Sequence, residues 1–72
     1  EFIMTSLRRL KGFSAEEFTA VTSIPLPADI AAKLKILKAE GMIEINNGRF
    51  YLSKKGLYYT DSIIYRIIEK YL

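Results

Sequence analysis

Apolar residues recur at helical spacing from the first positions of the chain. Phe2, Ile3, Leu7 and Leu10 fall on one face, Arg8, Arg9 and Lys11 fill the gaps, and Gly12 closes the pattern. The spacing predicts a first helix over about residues 1–11. Ser14-Ala15-Glu16-Glu17 then has the form of a capping box, in which the Ser14 hydroxyl accepts from the Glu17 amide and the Glu17 carboxylate accepts from the Ser14 amide. A short second helix follows to about Val21, and Phe13 and Phe18 flank its start as a hydrophobic staple. Pro25 and Pro27 force an extended connection, after which Ile30, Leu34 and Leu37 mark the inner face of a third helix, about Ala28 to Glu40, stopped by Gly41.

The period then changes from helical to alternating. Ile43-Glu44-Ile45-Asn46 and Arg49-Phe50-Tyr51-Leu52 flank Asn47-Gly48, the residues of a type I′ turn, so a two-residue hairpin pairs Ile45 with Phe50 and Ile43 with Leu52 on one apolar face. Ser53 is placed to cap a final helix that carries Leu57, Ile63, Ile64, Ile67, Ile68 and Leu72 towards the core. Three helices, a hairpin wing and a last helix make an α+β, mostly α, winged-helix-like domain. An isolated hairpin is marginal in water, so its apolar face must rest on the helices. Phe2, Phe13, Phe18 and Phe50 belong to the core, whereas Tyr58, Tyr59, Tyr65 and Tyr71 spread around the last helix and leave some aromatic surface outside, as suits a helix that docks onto a neighbour.

Composition narrows the chemistry. Seventy-two residues hold one small core, and 50% hydrophobic with 26% charged residues is the balance of a folding chain. No cysteine and no histidine excludes a thiol nucleophile, a cysteine-held iron–sulfur cluster, an ordinary zinc site and a histidine-based triad. No pair of acids stands out as a general acid and base, since Glu16 and Glu17 are explained by capping. Apolar runs are too short for a membrane span or a signal segment, and the expected compartment is the cytoplasm. The chain opens at Glu1 in mid-pattern, so a piece of a longer protein is expected.

Eleven Lys and Arg against eight Asp and Glu leave a net charge of +3. The winged-helix layout raises nucleic-acid binding, with the third helix as reader and Lys33, Lys35, Lys38, Arg49, Lys54 and Lys55 on phosphates. That helix, however, offers Ala and Lys rather than the Arg, Asn, Gln, Ser or Thr that read base edges, so its lysines fit a solvated face better. Nucleic-acid binding as a free-standing module is the alternative reading. Lys54 and Lys55 break a local rule, because the first turn of a helix disfavours cations. Together with Gly56 and the free amides of that turn they form a candidate anion site; the competing reading is that both ammoniums simply face water.

The stretch Glu1-Phe2-Ile3-Met4-Thr5-Ser6-Leu7-Arg8, then Gly12, Phe18, Ala39-Glu40-Gly41-Met42-Ile43 and Gly48-Arg49-Phe50-Tyr51-Leu52-Ser53-Lys54-Lys55-Gly56, resembles the C-terminal domain of the oxygen-independent coproporphyrinogen III oxidase family. The likeness spans essentially the whole chain, and the Glu-Phe-x-Met start is closer to the oxidase-like branch that includes haem chaperones. The resemblance implies a parent protein with a radical S-adenosylmethionine barrel and a four-iron cluster held by Cys-x-x-x-Cys-x-x-Cys. In the true oxidases that barrel oxidatively decarboxylates two propionates of coproporphyrinogen III; in the chaperone branch the ligand is haem. It further implies that this domain is non-catalytic, packs beside the barrel and helps enclose the tetrapyrrole site, with Arg8, Lys54, Lys55 and Gly56 contacting propionates or the barrel. No family ligand of the cluster or of S-adenosylmethionine maps onto these residues, and a strong axial haem ligand is absent as well.

Overall fold

A computed structural model describes all 72 residues. The elements in order are α1 (Phe2–Ser6), β1 (Phe13–Ser14), α2 (Ala15–Thr22), α3 (Ala28–Ala39), β2 (Ile43–Asn46), β3 (Arg49–Leu52), α4 (Lys54–Leu57) and α5 (Thr60–Ile68), followed by a 3₁₀ turn at Glu69–Tyr71. The α+β, mostly α, class read from the sequence is the one observed.

The first helix ends five residues sooner than its periodicity predicts. Beyond Ser6 the chain tightens into i→i+3 turns, with the Arg9 amide donating to the Ser6 carbonyl at 3.1 Å and the Gly12 amide to the Arg9 carbonyl at 3.0 Å. Leu7 stays buried, but Leu10 is rotated out of the core and left 79% exposed. Local propensity at Arg8 to Lys11 favours helix; the tertiary structure overrides it because Phe13 must arrive extended. Phe13 and Ser14 form a short strand that pairs antiparallel with β3, Phe13 opposite Phe50 and Ser14 opposite Arg49, giving a three-stranded sheet of order β1-β3-β2. Two residues carry no alternation from which such a strand could be read.

The capping box of α2 is formed in both directions, the Glu17 amide donating to Ser14 Oγ at 3.1 Å and the Ser14 amide to Glu17 Oε1 at 3.3 Å. Phe2 sits edge-on to both staple residues, its ring centroid 5.5 Å from Phe13 and 5.6 Å from Phe18, so α1 enters the junction between β1 and α2. α3 buries Ile30, Leu34 and Leu37, the face its spacing marks out. The hairpin also follows its sequence: Ile45 pairs with Phe50 and Ile43 with Leu52, and Asn47 and Gly48 both have positive φ, as a type I′ turn needs.

The final helix is two helices, not one. After a single turn the Tyr58 amide donates back to Lys55 and the Tyr59 amide to Gly56, i→i+3 bonds that end α4, and Thr60 Oγ1 caps the Leu57 carbonyl at 3.0 Å. The break has a packing cause. Gly56 is buried against the Met42 carbonyl, which fixes α4 at the open end of the hairpin, while α5 must turn to lay Ile63, Ile64 and Ile67 into the core. Leu57 and Leu72, placed inward by a continuous helix, are instead 47% and 81% exposed. Twelve apolar side chains form the closed core, contributed by α1 with its following turn, β1, α2, α3, the hairpin and α5.

Gly12 is the tightest point of the sheet. Its φ is +63, and a Cβ there would collide with the Phe50 carbonyl oxygen, whereas the surroundings of Gly48 at φ +77 are open. Gly48→Ala is expected to cost only the left-handed penalty of about 1–2 kcal/mol. Gly12→Ala should lose more than the ~1–3 kcal/mol of ordinary overpacking, since backbone and not a side-chain tip must give way. Thermal unfolding followed by circular dichroism of the two variants checks the order.

Candidate functional site

The start of α4 holds three of the residues singled out by sequence. Ser53 Oγ accepts the Gly56 amide at 2.9 Å and donates to the Gly41 carbonyl at 2.6 Å, while the Ser53 amide donates to the Met42 carbonyl at 3.0 Å. The amide of Gly56 is therefore occupied within the fold, and its missing side chain is what allows the backbone at Met42 to approach. Lys55 extends away from α4, its Nζ 3.5 Å from the carbonyl oxygen of Glu40. Glu40 ends the twelve-residue helix α3, where the macrodipole is negative, so a cation unfavourable for its own single-turn helix is favourable for the neighbouring longer one. Lys54 is exposed and makes no ion pair or hydrogen bond.

Arg8 lies elsewhere in the sequence but borders the same region. It pairs with Asp61 of α5 at 2.7 Å, with both side chains more than half exposed. The two line an open hollow of about 500 Å³ together with Leu52, Leu57, Tyr58 and Tyr59. Lys54 lies three residues before Leu57 and four before Tyr58, so it rises from the same side of α4 as those two. Arg8 thus borders that hollow, Lys54 is not among the residues that line it, and Lys55 and Gly56 are directed to the α3–hairpin junction.

Arg49, a phosphate contact in the nucleic-acid reading, is fully engaged inside the domain. Its Nη1 and Nη2 donate to the two carboxylate oxygens of Glu17 at 2.8 and 3.1 Å, Nε donates to the Lys11 carbonyl at 3.1 Å, and Nη2 also to the Gly12 carbonyl at 3.2 Å. The guanidinium beside Glu17 holds that carboxyl below its ordinary range, with the Ser14 amide adding to the effect. Along α3, Lys33 lies beside Arg66 and Glu69 of the α5 end, while Lys35 and Lys38, three residues apart, share an exposed face turned away from Lys33. The cations of that helix do not converge on one reading face.

Two further polar links join α5 and its tail to α3. Arg66 forms a two-pronged pair with Glu40, Nη1 to Oε1 at 2.8 Å and Nη2 to Oε2 at 3.1 Å, and Tyr71 donates its hydroxyl to the Asp29 carboxylate at 2.8 Å. Arg66 lowers the pKa of Glu40, and Tyr71 lowers that of Asp29; the same contact raises the pKa of Tyr71. None of these pairs is signalled by sequence spacing, because each joins residues more than 25 positions apart. An apolar groove of about 480 Å³ opens between α1, Ile24, Pro27 and the C-terminal Tyr71 and Leu72. No group of His, Cys, Asp and Glu is clustered as a metal site, and no helix is long and apolar enough to cross a membrane.

A family model described as the HemN C-terminal domain matches residues 1–59, from the start of α1 to the α4–α5 break. Comparison with curated proteins and with solved structures gave no match.

Glu17 and Glu40 both have a folded pKa below the ordinary 4.5. Their contribution is complete above pH 4.5 and is lost as pH falls through the depressed folded values. The thermal midpoint should therefore hold from pH 7 to about 5 and drop towards pH 3, and the double variant Glu17→Gln, Glu40→Gln should start lower at pH 7 and drop less. Thermal melts across that range measure it.

Proposed function

The chain belongs to the HemN C-terminal domain family, and from that membership we propose that it is the accessory, non-catalytic domain of a HemN-like, coproporphyrinogen-oxidase-like protein. On this reading it follows a radical S-adenosylmethionine barrel in the parent, packs on it and helps enclose a tetrapyrrole site, in haem biosynthesis or haem delivery. The family match over residues 1–59 is the observation that carries the proposal. A winged-helix-like arrangement, with α1 to α3 as the bundle and β2–β3 as the wing, is part of it and is supported by the element order.

The residues present do not fit a cluster or a S-adenosylmethionine site of their own. A chain without cysteine or histidine supplies neither thiolate nor imidazole, so those donors must come from the rest of the parent. What this domain supplies is shape and charge: a rigid body with an exposed aromatic and cationic surface that excludes water where it docks. The parent's cluster-bearing domain provides the radical chemistry when its cofactors are bound.

Deletion of residues 1–72 from the parent separates the two contributions. The visible absorption of the iron–sulfur cluster should remain, while coproporphyrinogen turnover, or haem retention if the parent is a chaperone, should fall at least about tenfold, the scale of losing ~1.4 kcal/mol of binding or barrier. Unchanged turnover and unchanged haem retention would overturn the assignment.

A further inference from the structure

We draw no further inference here: the strongest candidate, the apolar groove of about 480 Å³ between α1, Ile24, Pro27 and the C-terminal Tyr71 and Leu72, is an unpartnered face, and nothing in the structure shows what covers it.

Discussion

The structure turns on the close approach of Gly12 to the Phe50 backbone, secured by Arg49. Only a residue without a Cβ lets the turn after α1 pass over the carbonyl of Phe50, and only that passage lets Phe13 pair with β3. Arg49 then uses one planar guanidinium to hold the carbonyls of Lys11 and Gly12 and the carboxylate of Glu17. Glu17 in turn accepts the Ser14 amide that begins α2. One side chain therefore links the hairpin, the turn and the cap of α2, and the Phe2, Phe13, Phe18 and Phe50 rings pack beneath that junction. The geometry is a two-pronged one that lysine could not reproduce.

The second half of the fold is assembled on the same logic, with apolar burial supplying the drive and exposed polar pairs supplying the orientation. α5 contributes Ile63, Ile64 and Ile67 to the core. Arg8 with Asp61, Arg66 with Glu40 and Tyr71 with Asp29 tie that helix and its tail to the turn after α1 and to α3. Exposed pairs of this kind add little to stability by themselves. Their value lies in direction, since α5 must leave α4 at an angle that keeps Gly56 against Met42.

This division of labour separates scaffold from surface among the charged residues. Cations that looked equivalent along the chain are not: Arg49, Arg66 and Lys55 serve the fold, Arg8 pairs with Asp61 beside a hollow lined by leucine and tyrosine, and Lys54 is left without a partner.

Much of the local structure was legible from residue order. The capping box at Ser14 and Glu17, the inner face of α3, and the hairpin register set by Asn47-Gly48 each depend on residues a few positions apart, and each formed as read. So was the family, because its signature lies in short contiguous stretches between Glu1 and Gly56. What the chain order could not decide were the outcomes that depend on distant partners. Leu10, Leu57 and Leu72 share the periodicity of buried residues yet lie outside, because pairing of Phe13 with Phe50 cut α1 short and packing of Gly56 on Met42 split the last helix. The candidate site also depends on distant partners: adjacency groups Lys54, Lys55 and Gly56, but in the fold the Gly56 amide goes to Ser53 and Lys55 turns to the Glu40 carbonyl. Arg8 meets Asp61 and the α4 side chains only after five helices and a sheet have packed, and a periodic pattern records which face of an element is apolar, not which elements will compete for it.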